Sequence, residues 1–111
     1  MARLSSDFWV SAYLRRCGVE LIPAMLRRRG SPEAGAVLIK IDFLDGTAAL
    51  YGPAPQAEVE DKDEARRFTL MHKAERMDAP DIEARLRREL DFDPDLWIVE
   101  VESRDGRTLL D

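Results

Sequence analysis

The run Leu96-Trp97-Ile98-Val99-Glu100-Val101-Glu102 constrains the fold of this chain more than any other segment. Side chains alternate along a strand, so Leu96, Ile98 and Glu100 point one way while Trp97, Val99 and Val101 point the other. Both faces therefore begin apolar, and only the far end becomes polar. That is the pattern of an interior strand. It is framed by the acidic Phe92-Asp93-Pro94-Asp95 segment and by an Asp105-Gly106 turn. Nothing in it resembles an active site.

A chain of 111 residues has room for one hydrophobic core, so residues 1–111 are read as a single domain. With 45% hydrophobic and 35% charged residues it can fill that core and keep a solvated surface, which excludes a disordered chain. No run approaches the roughly 20 apolar residues of a membrane helix, and the N-terminus lacks a secretory pattern. The expected compartment is the cytoplasm, with no role in the membrane. Cys17 is the single cysteine, which rules out an internal disulfide and leaves a small buried hydrophobe on a helix as its reading.

The net charge of −5 argues against whole-surface attraction to nucleic acid. It is unevenly spread: residues 1–40 carry seven Lys/Arg against three Asp/Glu, and residues 41–111 carry ten against nineteen. Interleaving of strands from the two halves would largely erase that asymmetry.

Ser5 and Ser6 ahead of Asp7 supply an N-cap for a first helix from Ser6 to Cys17, with Gly18 as its left-handed exit. Trp9, Ala12, Tyr13 and Cys17 form its apolar stripe. Strands are expected over 24–29, over 36–43 and, after an Asp45-Gly46 hairpin turn, over 48–51, the three forming an antiparallel meander. The proline-bounded acidic stretch 53–65 reads as a mobile loop, followed by a strand pattern over 66–72. A second helix begins at Asp78, which forms a capping-box pattern with Asp81; Pro80 lies in its first turn, and Ile82, Leu86 and Leu90 face the core. The fold class that follows is α+β: an antiparallel sheet of about four to five strands with both helices packed on one face.

The candidate chemistry is sparse. Asp91, Asp93, Asp95 and Glu102 match the acidic positions of a calcium loop, but Leu96 stands where that loop needs glycine for its bend. Asp42 with Lys40, or the 58–64 loop with Glu58, Glu60 and Lys62, offers the carboxylates and lysine of a metal-dependent nuclease, although Lys40 precedes Asp42 rather than following it. His72 is the only histidine, and a Cys17–His72 dyad requires the fold to join them. Arg15, Arg16, Arg27, Arg28 and Arg29 are the candidate anion-binding or partner-binding residues, since guanidinium groups pair with carboxylate and phosphate; pairing within the chain is the competing reading. No catalytic residue, metal ligand or cofactor is assigned.

Leu4-Ser5-Ser6-Asp7-Phe8-Trp9-Val10-Ser11-Ala12, the Arg28–Val37 turn, Leu50-Tyr51-Gly52-Pro53, and Phe92-Asp93-Pro94-Asp95-Leu96-Trp97 with Asp105-Gly106-Arg107 together resemble DUF1491, a family of small alphaproteobacterial proteins of unknown function. The resemblance spans nearly the whole chain. It implies a bacterial cytosolic protein that is the entire gene product, and it carries over no activity, cofactor or substrate. The expected function is a non-enzymatic binding or protein-interaction module. The alternatives are a metal-dependent hydrolase or nuclease using Asp42 and the 58–64 loop, and a weak nucleic-acid binder using the early arginines. A homodimer that covers an edge strand is the secondary expectation.

Overall fold

The computed structural model describes residues 4–55 and 66–110. Helix α1 (Ser6–Val19) is followed by strands β1 (Ala24–Arg28), β2 (Val37–Asp42), β3 (Thr47–Pro53), β4 (Phe68–Leu70) and β5 (Met77–Asp78), then helix α2 (Ala79–Phe92) and strand β6 (Trp97–Glu102). The sheet runs β1-β6-β2-β3-β4, with β5 also paired to β3. The expected β1-β2-β3 meander is corrected: β6 inserts between β1 and β2, antiparallel to the first and parallel to the second. The sheet is therefore mixed and has six strands, because the last apolar strand takes the most buried place available to it.

The placing of both helices on one face is also corrected. On one side, Val10, Tyr13 and Cys17 of α1 pack with Val37, Ile39, Ile41, Trp97, Val99 and Val101. On the other, Ile82 and Leu86 of α2 pack with Leu38, Ala48, Leu50, Leu96 and Ile98. Strands β2 and β6 are apolar on both faces, and a sheet of that kind needs a cover on each.

Helix α1 starts where the sequence places it: Ser5 caps it, accepting a hydrogen bond from the Phe8 amide. Gly18, however, lies inside the helix, and the left-handed exit falls on Leu21 at φ 61°. Helix α2 has Asp78 at its N-cap and proline in its first turn, but the Asp78 side chain makes no capping bond, so the capping box is not realised. The β2–β3 turn is held by Asp45, which accepts from the Thr47 amide at 2.9 Å, with Gly46 at φ 87°.

One junction ties these elements together. The 30–35 turn lies against the residues that lead into β6: Ser31 donates its amide to the Asp95 carbonyl at 3.0 Å, and the Trp97 indole N–H donates to the Ser31 carbonyl at 2.7 Å. The same turn receives the start of α1, where the Ser6 and Asp7 amides donate to the carbonyls of Glu33 and Pro32, and the Ser6 hydroxyl donates to Gly35. Two otherwise unsatisfied helix-end donors are thereby met. A Cβ at Gly30 would overlap the Asp95 carbonyl oxygen and lie 2.6 Å from the Leu96 carbonyl carbon, so only glycine allows this approach.

Two glycine substitutions should accordingly act in opposite directions. Gly30→Ala is expected to destabilise the protein by more than about 2 kcal/mol through backbone overlap. Gly18→Ala, with open space around its Cβ, should stabilise by about 0.5–1 kcal/mol in urea melts.

Candidate functional site

Among the described residues, the densest set of charged groups lies on the α2 side of the sheet. Lys40 sits on the central strand β2 directly beside Glu100 of β6, and its side chain is only 8% exposed. Its Nζ donates to Glu83 of α2 at 2.6 Å and stands 3.8 Å from Glu100. Arg27 reaches the same carboxylates because it follows Met25, the β1 partner of Glu100, by two residues and so shares its face; a bulge then sets Arg27 and Arg28 against the single residue Ile98. Its guanidinium grips Glu83 through two bonds of 2.8 and 2.9 Å and donates to Glu100 at 3.1 Å. Two cations and two carboxylates thus neutralise one another, joining β1, β6, β2 and α2. The Arg27 guanidinium and then the Lys40 ammonium hold the Glu83 carboxyl down at about 2.

Sequence reasoning missed Glu83 and Glu100. The available signal was Lys40 itself, a cation in the middle of an apolar strand that must find a carboxylate once buried.

The five singled-out arginines are spread over separate tasks. Arg28 donates to the Leu96 carbonyl at 2.7 Å. Arg29 pairs with Asp7 at 3.2 Å and lies over the Trp97 ring, 5.2 Å from its centroid. Arg16 donates to the Leu109 carbonyl of the C-terminal tail at 3.3 Å, and Arg15 is exposed on α1.

Cys17 and His72 are not brought together as a dyad. Cys17 is fully buried beside Tyr13, and burial pushes up both its thiol and the Tyr13 phenol. His72 accepts a hydrogen bond from the Leu50 amide at Nε2 and contacts the Ala74 carbonyl through Nδ1 at 2.7 Å, so its ring extends the β3 pairing beyond β4. Asp42 accepts from the Leu44 amide. Glu58, Glu60, Lys62 and Glu64 lie outside the described residues. Among the described residues no group of three or more His, Cys, Asp or Glu side chains is placed to hold a metal ion, and no helix is long and apolar enough to cross a membrane.

Two of the clefts formed by the described residues each hold an arginine contact. One, of about 290 Å³, includes Glu20, Pro23, Glu102, Asp105 and Arg107, and is spanned by an Arg107–Glu20 pair of 2.7 Å. The other, of about 310 Å³, includes Phe43, Tyr51, Leu70 and Arg76; there Arg76 is held flat on Phe43 at 3.8 Å and bonded to Asp45.

The outer face of α1 differs from the rest of the surface. Phe8, Ser11, Ala12, Arg15 and Val19 fall on one exposed stripe of the helix, opposite the buried Ser6, Val10, Tyr13 and Cys17, and Leu4 is exposed just before the helix. Leu4, Phe8 and Val19 are 44%, 60% and 75% exposed. The helix is thus apolar on both sides.

A sequence profile described as a protein of unknown function, DUF1491, matches residues 4–111. The chain belongs to the DUF1491 family. A crystal structure of a family member from Caulobacter crescentus is 36% identical, covering 96% of this chain and 92% of that one with a TM-score of 0.77. The solution structure of protein Atu0922 from A. tumefaciens is 38% identical, with coverages of 98% and 93% and a TM-score of 0.80. No curated protein matches significantly. Family membership establishes this fold as the family's own and names no activity.

The charge network has a measurable signature. The folded protein lowers the Glu83 carboxyl from its ordinary 4.5 to about 2, so the stabilisation is present above about pH 4.5 and is lost as pH falls towards 2. Discounted for the screening of a carboxylate 31% exposed, it is worth about 1–2 kcal/mol. Glu83→Gln is expected to cost about 2 kcal/mol at pH 7 and to flatten the acid side of the stability profile. Lys40→Met should cost at least as much, because it leaves Arg27 alone against two carboxylates, of which Glu100 is only 17% exposed. Urea melts at pH 7 and pH 3 read both effects.

Proposed function

We propose that this family member is a non-enzymatic protein-interaction module of the bacterial cytoplasm and that the outer face of α1 is its contact surface. The observation that carries this reading is the second apolar stripe of α1, which covers no part of the core. Patches of that kind, edged by charge, mark protein contact sites on small soluble domains. Arg15 within the stripe and Arg16 at its flank are the early arginines placed to meet a partner, and guanidinium groups are favoured at such contacts. Arg27, Arg28 and Arg29 serve the chain's own carboxylates and backbone, so their contribution is to the scaffold. The unpaired, buried Cys17 fits a reducing compartment.

The test is affinity capture from a lysate of the source bacterium with the wild-type chain and with a Phe8→Asp/Val19→Asp variant. Both positions are remote from the core, so melting should shift by no more than about 0.5 kcal/mol. The wild-type chain is expected to enrich a specific protein at least about tenfold over the variant, the loss of about 1.4 kcal/mol of contact. Equal recovery by the two baits rejects this face. Recovery by neither, with turnover of a defined substrate, rejects the non-enzymatic reading itself.

A further inference from the structure

We infer that the occupant of the α1 face is a second copy of the same chain, packed antiparallel about a two-fold axis; this deepens the proposed function and rests on α1 being the contact face. The exposed helical positions 8, 11, 12 and 15 have the same spacing read from either end, with the midpoint between Ser11 and Ala12, and Arg16, Gly18 and Val19 are exposed beyond them. An antiparallel second helix in that register meets every position with its symmetry mate, as a closed two-fold contact requires.

The residue types suit the register. Ser11 and Ala12, the smallest side chains of the stripe, fall at the crossing point, where they let two helix backbones approach closely. Val19 of one copy lies towards the segment that leads into α1 of the other, where Leu4 is exposed, so the outermost apolar groups are brought to the same end of the contact. Phe8 is set against Arg15 of the other copy, a ring and a guanidinium that attract when stacked.

Charge is complementary in the same register. Asp7 lies beside Phe8 at the N-terminal end, and Arg15 and Arg16 lie towards the C-terminal end, so an antiparallel partner brings Asp7 towards Arg15 of the other copy. A single bond ties Asp7 to its own Arg29, through Oδ1, and the Asp7 side chain stays half-exposed. The opposed helix dipoles add to the attraction. A parallel arrangement would instead stack like charges end to end.

The other exposed apolar groups have no such order. Among the described residues, Phe92 ends α2 between Asp91 and Asp93, Leu21 stands in the left-handed exit of α1, Leu44 lies in the β2–β3 turn at φ 63°, and Met25 lies on the edge strand two residues before Arg27.

Sedimentation velocity from about 10 µM to about 1 mM tests the inference, a range suited to a contact of one helix per copy. The wild-type mass is expected to rise from one chain to two, and Phe8→Asp with Ala12→Arg to stay at one chain while melting as wild type does. A cross-link needs no destabilising change: with Cys17 buried, Ala12→Cys carries one accessible thiol at the crossing point. Its oxidative dimer should form at least about tenfold faster than that of Arg88→Cys on the exposed side of α2. A single-chain mass at every concentration, equal cross-linking at the two sites, or a dimer that survives the α1 substitutions overturns the inference. A monomer whose captured partner is still lost in Phe8→Asp/Val19→Asp rejects the second copy and leaves the contact face standing.

Discussion

The position of β6 depends on a few backbone contacts between the 30–35 turn and the residues that lead into that strand. Trp97 is nearly fully buried, and its indole N–H needs an acceptor, which the Ser31 carbonyl provides at 2.7 Å. The Asp95 carbonyl takes the Ser31 amide on the same surface, at a separation that admits no Cβ at Gly30. With β6 fixed there, β1 and β2 are held apart by one strand, the sheet becomes mixed, and the bulge at Arg27 faces α2. The start of α1 rests on the other side of the same turn, so both helices are positioned from it. Three of the segments by which the chain resembles its family meet here, through Ser6, the 30–35 turn and Asp95–Trp97.

The ionisable groups of the α2 face follow from that arrangement. Once β6 lies beside β2, Lys40 and Glu100 are neighbours by register, and Glu83 closes over them from the helix. Removing a lysine from water without a carboxylate is costly, and two carboxylates here need two cations. The set is complete within the chain. Of the charges that looked available in the sequence, Lys40 and Arg27 therefore act as a clasp between sheet and helix, and the face proposed for recognition is the outer stripe of α1.

Much of the scaffold was legible because it is written in local periodicity. Alternation marked β2 and β6, the Asp45-Gly46 pair marked the hairpin, and the Ile82, Leu86 and Leu90 spacing marked α2. The two-sided apolar character of β2 and β6 also called for a helix on each face, although the packing expected from strand order was one-sided. Two short elements gave little signal: β5 has two residues, and β4 has three where a run of seven was expected.

The amino-acid pattern by itself determined that β6 is internal and where most of the helices and strands start and stop, since burial of alternating or helically spaced apolar groups is a local property. Only the tertiary structure decided that β6 runs parallel to β2, that Lys40 meets Glu83 across 43 residues, and that the early arginines part company. Those outcomes are set by which distant strands become neighbours, and that choice depends on shape and hydrogen bonding at the 30–35 junction, which no spacing along the chain encodes.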